Sequence, residues 1–260
     1  MSQISQTMGT STVDSITVKG QSLCDDLIGK RSFTDMVYFL ITNRLPSKGQ
    51  GAALDACLVA LMEHGWTPTS MITRLAADSV PDQVQLAIAA GLLTVGPVFA
   101  GTMEGCAEIL AEGLAQGLTS GPEAAAYCDK VVADFAARKA PLPGFGHRVH
   151  KPVDPRTPAL LATAREAGVA GPAMALLAEL SAAADRARGK PITLNATGAI
   201  AAILLDIGIP LKAMRGIAVI SRSGGLLGHI IDESREPAAR EIWRLTRENI
   251  PYRDPEGADE

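Results

Sequence analysis

The sequence is poor in aromatic residues, which make up 4% of its 260 positions. Its apolar residues, 47% of the total, are mostly Ala, Leu, Ile and Val, and such a mixture favours packed helices built on small side chains. The length allows one large domain or one domain with a smaller lobe. A formal net charge of -4 argues against a general nucleic-acid binder, although anionic substrates need only local cations.

Cysteine spacings typical of metal sites and apolar segments typical of membrane proteins are both missing. The first ten residues are polar and lack the apolar core of a signal peptide. The longest uncharged run, residues 83–103, contains two glutamines, a proline and several glycines, which predicts a buried helix and a turn rather than a membrane span. We expect a cytoplasmic protein without bound metal or prosthetic group, in which reduced thiols lie in the core: Cys24, Cys57, Cys106 and Cys128.

Periodic apolar residues and capping residues predict a chain built of helices. A short strand or an extended arm is expected around residues 15–18. The predicted helices are 23–28, 33–41, 52–63, 83–94, a segment that ends near 113, 122–139, 159–167, 172–188, 199–207, 217–231 (interrupted near Gly224 and Gly225) and a surface helix at 240–250. Because small residues let helices approach closely, residues 83–113 predict a helical hairpin that packs against a second copy of the chain or within one subunit.

The segment from Pro141 to Arg156 reads P-L-P-G-F-G-H-R-V-H-K-P-V-D-P-R, and its prolines and glycines exclude a regular helix or strand. Two of the four histidines of the chain lie here, together with the cations Arg148, Lys151 and Arg156. Glycines let a ligand approach the backbone, and prolines fix the course of a loop. The segment predicts a binding loop for an anionic substrate that needs proton transfer; the alternative is a basic surface loop.

The strings G-F-G-H-R-V and K-x-x-D-P-R in this loop resemble the signature of the citrate synthase superfamily. The resemblance implies an all-α, citrate synthase-like helical fold with a large and a small lobe. The large lobe would begin at residues 1–140, the substrate loop and small lobe would occupy 141–195, and 196–260 would return to the large lobe and end in a tail. The resemblance also implies a homodimer or a dimer of dimers.

By position within these strings, His147 is implied to contact the reacting oxygen of the substrate. Arg156 is implied to hold a substrate carboxylate, with Arg148 as a further substrate contact. The implied contacts to coenzyme A come from the backbone of a glycine turn and from two lysines: Gly144, Phe145, Gly146, Lys151 and Lys190. For Lys190, a solvated helix end is the alternative.

Two further strings resemble the same superfamily. In E-H-G-x-x-P-T-S, His64 taken alone reads as a cap at a helix end, whereas the resemblance implies that it helps to hold the oxaloacetate portion of the substrate. In R-S-x-G-x-x-G-H, Arg222 lies on an apolar segment and needs an anionic partner, which the resemblance identifies as a substrate carboxylate. His229 would line the same pocket or would be a satisfied core histidine.

The sequence departs from the family pattern at two positions. The first departure resembles the cleavage branch of the family, and the second removes the catalytic aspartate of that branch. Citrate synthases resemble G-P-L-H-G-G where this chain has G-P-V-F-A-G, and Phe99 in place of the catalytic histidine resembles the cleavage branch, namely citryl-CoA lyase and the C-terminal module of ATP-citrate lyase. The cleavage branch carries a catalytic aspartate in L-N-V-D-G. This chain has L-N-A-T-G, so Thr197 replaces that aspartate.

The chemistry that these residues suit is a retro-aldol, Claisen-type cleavage. The tertiary hydroxyl of citryl-CoA must lose a proton, and His147, with an ordinary pKa of about 6.5, suits that oxygen as a hydrogen-bond partner or proton acceptor. The enolate carbon must gain a proton, and the hydroxyl of Thr197 is a poor acid. Either water supplies the proton slowly, or another group substitutes (Asp206 lies too far along its helix), or the substrate differs.

We therefore expect a citryl-CoA lyase-like lyase or synthase that acts on a CoA thioester of a hydroxy polycarboxylic acid and yields an acyl-CoA and a keto acid such as oxaloacetate. The alternative is a catalytically altered or inactive relative that binds a carboxylate or a CoA ligand, or that acts on a different acyl-CoA. In either case the expected partners are small molecules, with no nucleic acid and no membrane.

Overall fold

The computed structural model describes residues 5–96 and 102–254. The chain divides into two compact units: unit 1 consists of Met1–Ala60 and Ala100–Ile217, and unit 2 consists of Leu61–Phe99 and Ala218–Glu260. Of the residues in these described ranges, 64% are helical, as an all-α fold requires. Neither unit coincides with residues 141–195, so the lobe bounds stay a prediction. No helix within the described ranges is long and apolar enough to cross a membrane.

Most helices lie close to the predicted positions. They are α1 (Phe33–Thr42), α2 (Lys48–Met62), α3 (Pro68–Ser79), α4 (Val84–Leu92), α5 (Thr102–Ala115), α6 (Pro122–Ala137), α7 (Arg156–Glu166), α8 (Pro172–Arg188), α9 (Ala196–Asp206), α10 (Met214–Arg235) and α11 (Ala239–Asn249). Local signals set their ends: Ser32 and Asp35, for example, form a reciprocal capping box at the start of α1.

Unit 1 opens with a small antiparallel sheet that contains the predicted strand. Its strands are β1 (Gly9–Ser11), β2 (Ile16–Val18) and β3 (Gln21–Ser22), in the order β1-β2-β3. Lys19 and Gly20, which join β2 to β3, both have positive φ (46° and 83°), as a tight two-residue hairpin turn requires. A single π-helical turn follows at Leu23–Leu27, where a short helix is predicted.

Helix α9 forms the centre of unit 1. Its residues 198–204 are buried, and α5, α7 and α8 all pack against it. Burial on every side explains its apolar run, in which alanines and a glycine allow close helix contacts. The first turn of α9 is capped by the side chain of Asn195, which accepts a hydrogen bond from Gly198 N. This helix therefore fixes the position of Thr197 against the rest of unit 1.

Unit 2 contains α3, α4, α11 and most of α10. Helix α3 packs against α4 and α11, and Ala77, Ala87 and Ile230 form an apolar cluster in the unit. Helix α3 was not predicted from the sequence, because its first residues, P-T-S-M-I-T, carry little apolar periodicity. Its start depends instead on a capping box between Thr67 and Ser70.

Several predictions were wrong in detail. Helix α2 begins at Lys48 and not at residue 52. Helix α10 runs unbroken through Gly224 and Gly225. A Cβ at Gly225 would lie 2.0 Å from the Met62 carbonyl oxygen, so this glycine permits close packing and does not break the helix. Helix α4 is only partly buried, Leu93 just after it is 87% exposed, and Cys24 is exposed while the other three thiols are buried.

Candidate active site

The loop between α6 and α7 is fixed to the segment that precedes α9. The Gly146 amide donates to Thr193 O (2.7 Å), and the Asn195 amide donates to Gly144 O (3.0 Å). The Asn195 side chain donates in turn to Gly146 O at 2.9 Å. Gly144 and Gly146 both have positive φ, and Phe145 between them bridges to Leu194. The predicted irregular loop is thus a rigid turn rather than a loose surface segment.

Asp154 anchors the end of this loop, and sequence reasoning did not identify it as a site residue. Its fully buried carboxylate accepts hydrogen bonds from Arg156 Nε (3.0 Å), Arg156 Nη2 (2.9 Å) and the amide of Ala196 (3.0 Å). Burial raises the pKa of Asp154, but these hydrogen bonds and the charge of Arg156 outweigh burial and bring the pKa to about 2. The ionised carboxylate therefore holds Arg156, the first residue of α7, in a bidentate pair.

His147 has a defined tautomer. Its Nδ1 accepts from the amides of Val149 (3.1 Å) and His150 (2.9 Å), so the proton of the neutral ring is on Nε2. Burial lowers the pKa of His147, and the nearby His150 and Arg156 lower it further while Asp154 opposes them. Arg156 Nη2 lies 3.5 Å from His147 Nε2. Two N–H donors thus lie side by side, an arrangement that suits one shared oxygen acceptor.

A basic cavity of about 720 Å³ extends from His147. Four predicted site residues line this cavity, three from the loop region and one lysine from the segment after α8. The full lining consists of Gly146, His147, Lys151, Pro152, Arg188, Lys190, Pro191, Ile192 and Thr193. Lys190 is therefore part of a cavity wall. Arg188 was missed as a site residue, although its place beside Lys190 in the sequence was a signal.

Thr197 is embedded in a hydrogen-bonded chain of neutral groups. Its hydroxyl donates to Asn195 Oδ1 (2.6 Å), and it therefore accepts from the hydroxyl of Thr102 (2.8 Å). Asp206 is no substitute acid for this position. Its carboxylate accepts the amides of residues 171, 173 and 174 at the start of α8, at 2.9, 2.8 and 3.0 Å.

Three predicted site residues belong to unit 2. His64 is exposed in the turn between α2 and α3, while Arg222 and His229 are half-buried on α10. Arg74 Nε donates to His229 Nδ1 at 3.1 Å, a contact with a residue that sequence reasoning missed. Phe99 lies outside the described residues. In unit 1, Arg148 is exposed on the loop.

The sequence matches a known family over most of its length. The family described as "Citrate synthase, C-terminal domain" matches residues 49–246. A "Citrate synthase-like protein" of Phoma sp. is 29% identical over 208 residues, which cover 76% of this chain and 42% of that protein. A "Putative citrate synthase 2" of Mycobacterium tuberculosis is 27% identical over 234 residues, which cover 84% and 59%. The chain thus spans about half the length of the curated relatives it matches.

Solved structures confirm the predicted fold. Citryl-CoA lyase from Hydrogenobacter thermophilus superposes with a TM-score of 0.85 at 25% identity, over 97% of this chain and 95% of that chain. ATP citrate lyase from Methanothrix soehngenii, solved in complex with citrate and coenzyme A, superposes with a TM-score of 0.82 at 20% identity, over 99% of this chain and 42% of that chain. The all-α helical arrangement inferred from the sequence is that of these proteins.

Proposed function

The chain belongs to the citrate synthase family, and we propose that it is a citryl-CoA lyase-like enzyme. It would cleave or form a carbon–carbon bond in a CoA thioester of a hydroxy polycarboxylic acid. The products of cleavage would be an acyl-CoA and a keto acid such as oxaloacetate. The observation that carries the proposal is the pair of donors at His147 Nε2 and Arg156 Nη2, 3.5 Å apart beside a basic cavity.

The donor pair suits the oxygen end of the reaction. When the carbon–carbon bond of a 3-hydroxyacyl thioester breaks, the hydroxyl gives its proton to water, and its oxygen carries negative charge before it becomes a keto carbonyl. The electron pair of the broken bond forms the enolate of the acyl-CoA, which then takes a proton from water. Because Nδ1 of His147 already accepts two amides, His147 offers this oxygen an N–H and not a lone pair. We assign His147 the role of a donor that stabilises the oxyanion, and Arg156 that of a second donor and carboxylate partner.

The basic cavity suits the phosphates of coenzyme A. Lys151, Arg188 and Lys190 supply three cations, whereas the Gly146 amide already donates to Thr193 O. Phosphate groups are bound in proteins by such cations. The ATP citrate lyase of similar fold was solved with citrate and coenzyme A, which agrees with a CoA thioester as the substrate here.

A specific observation favours the second candidate, a catalytically altered relative that binds a CoA or carboxylate ligand or acts on a different acyl-CoA. Thr197 stands where the family pattern has a carboxylate, and its hydroxyl proton is committed to Asn195. Loss of a positioned acid or base typically costs about 10²–10⁴-fold in rate. If water supplies the proton instead, cleavage is slow but measurable, and that rate distinguishes the first candidate from an inactive protein.

The remaining assignments are part of the proposal. His64, Arg222 and Arg148 would bind substrate carboxylates, and His229, whose Nδ1 accepts from Arg74, would line the pocket. A second copy of the chain would pack against the exposed apolar residues of α4 and the turn after it: Val84, Leu86 and Leu93.

The test uses purified protein and citryl-CoA, with release of oxaloacetate followed by a coupled dehydrogenase and acetyl-CoA followed by chromatography. We expect slow release of both products, at least 10²-fold faster than from an H147A variant. A second variant, R156M, removes the other donor, and R165M, on the exposed far end of α7, is its matched control. If citryl-CoA and a panel of other 3-hydroxyacyl-CoA thioesters give no turnover while calorimetry detects binding of CoA, the second candidate replaces the first.

A further inference from the structure

Arg74 is a buried cation in unit 2 that the proposed reaction does not use. It lies on α3 and is 6% exposed. Its Nη1 donates to Glu233 Oε2 (3.0 Å) and to the carbonyl of Glu236 (3.3 Å), and its Nη2 lies 3.6 Å from Asp232. The guanidinium carbon also stacks over the ring of Trp66 at 4.8 Å. A buried arginine with this many partners is held in one orientation.

Arg74 also fixes the tautomer of His229. Its Nε can only donate, and it donates to His229 Nδ1 at 3.1 Å, so the neutral ring carries its proton on Nε2. His229 Nε2 is buried and lies 3.0 Å from Glu63 Oε2, although the N–H is not aligned for a hydrogen bond. The imidazole thereby places a partial positive charge against the Glu63 carboxylate.

The residues so contacted flank His64 on both sides. Glu63 precedes it, and the other oxygen of Glu63 accepts from the amide of Gly65. Trp66 follows two residues later and packs on Arg74, with its ring centre 6.1 Å from that of His229. The backbone that carries His64 is therefore bent around a carboxylate whose position depends on the Arg74–His229 pair.

The close packing of α10 against the turn that carries His64 also indicates that the position of this turn is fixed. A Cβ at Gly225 would lie 2.0 Å from the Met62 carbonyl oxygen and 3.1 Å from Glu63 Oε2. Helix α10 therefore meets the backbone of Met62, two residues before His64, at a distance that only glycine allows. His229, one turn further along α10, reaches Glu63 because of this approach.

We propose that Arg74 is the positioning residue for His64, acting through His229, Glu63 and Trp66; we call these four residues the Arg74 clamp. The clamp itself is independent of the proposed function, which enters only in assigning His64 to the substrate. Arg74 would then set ligand affinity without touching the ligand.

A purely structural role for Arg74 makes a different prediction. Glu233 Oε1 accepts the amides of Ala238 and Ala239 at the start of α11, so the Arg74–Glu233 pair also anchors that helix. R74K keeps a cation for Glu233 but loses the Nε donor and the planar stacking on Trp66. H229A keeps the Arg74–Glu233 pair intact and removes the imidazole that links Arg74 to Glu63. If Arg74 serves only to anchor α11, both variants leave the tautomer and environment of His64 unchanged.

The first measurement needs no ligand. Ring ¹H–¹⁵N spectra of the histidines, with His64 and His229 assigned from H64A and H229A, report tautomer and environment. We expect His229 of the wild type to show the Nε2–H tautomer, R74K to show a mixture, and the His64 signals to move in both R74K and H229A. R240K is the matched control, since Arg240 is exposed and pairs with the half-buried Asp78 in unit 2. Unchanged His64 signals in R74K and H229A would overturn the proposal.

The second measurement is a double-mutant cycle on oxaloacetate affinity by calorimetry. We expect R74K and H64A each to weaken binding about 10-fold and the double variant to be no more than about twofold weaker than H64A, because Arg74 acts through His64. A full, additive effect of R74K in the H64A background would overturn the proposal. If the wild type binds no oxaloacetate, the proposed function fails, and the ligand-free spectra still decide the clamp.

Discussion

Arg156 Nη2 lies 3.5 Å from His147 Nε2, and each of these nitrogens carries a proton that it can donate. Neighbouring groups hold each member of this pair in place. Asp154 holds the guanidinium in a bidentate ion pair, and two backbone amides hold the imidazole in one tautomer. Two fixed donors aimed at one point need no reorganisation when negative charge develops there, which is the property that oxyanion binding requires.

Replacing Arg156 by methionine is expected to impair both the ligand site and the fold. It removes a donor and leaves the fully buried Asp154 carboxylate without its cation, a loss typically worth about 3–5 kcal/mol. R156K keeps the charge but not the bidentate geometry, so we expect a smaller loss of stability together with a loss of ligand affinity of about 10-fold or more. Urea unfolding and calorimetry with oxaloacetate check both effects, with R165K as the control. Equal stability of R156M and wild type would contradict the assigned ion pair.

Asp154 predicts a loss of stability in acid. Its pKa in the folded protein, about 2, lies below its ordinary 3.8. The unfolded chain therefore binds this proton more readily, and the stabilisation is fully present above pH 3.8 and is lost as the pH falls toward 2. The size is about 2 kcal/mol. We expect D154N to be less stable than wild type at neutral pH and to lose less stability between pH 5 and pH 2.5. Parallel slopes for the two proteins would count against the assignment.

Restoring a carboxylate at position 197 tests whether the site lacks only an acid. The carboxylate of T197D could accept from the Thr102 hydroxyl but would lose the bond that Thr197 donates to Asn195 Oδ1. We expect citryl-CoA cleavage to rise about 10²-fold or more, within the range that general acid–base catalysis supplies. T197S, which keeps the hydroxyl, should behave as wild type. A T197D variant that folds but cleaves no faster would indicate a different natural substrate or a ligand-binding role.

Charge in the basic cavity should set the affinity for coenzyme A. Removing Lys151 and Lys190 together takes away two of its three lysine and arginine cations, so we expect K151M/K190M to bind CoA about 10-fold or more weakly. Because part of the attraction is Coulombic, the difference should shrink at high salt. K130M, on the exposed side of α6, is the control. Unchanged affinity for CoA would place its phosphates elsewhere.

Much of the helical fold could be predicted, because caps and alanine-rich apolar runs are local signals. The failures have physical causes. Helix α3 starts from a capping box in a polar stretch, and Gly224 and Gly225 read as a helix break because the sequence does not reveal that Met62 packs against them.

The site could be predicted only where a string of residues carries the signal. His147 and Arg156 lie within nine positions of each other in such a string, whereas Asp154 was overlooked within it because its partners, Arg156 and the amide of Ala196, are visible only in three dimensions. Arg74 was missed for a similar reason. An arginine in a mixed helix looks like a surface residue until its buried partners on α10 are known.

The most direct measurement is the rate of oxaloacetate release from citryl-CoA by wild-type protein and by H147A under identical conditions. We expect a slow but measurable wild-type rate and a rate at least about 10²-fold lower for H147A, as for loss of an oxyanion donor. Equal rates for the two proteins, or no release and no CoA binding by the wild type, would contradict it.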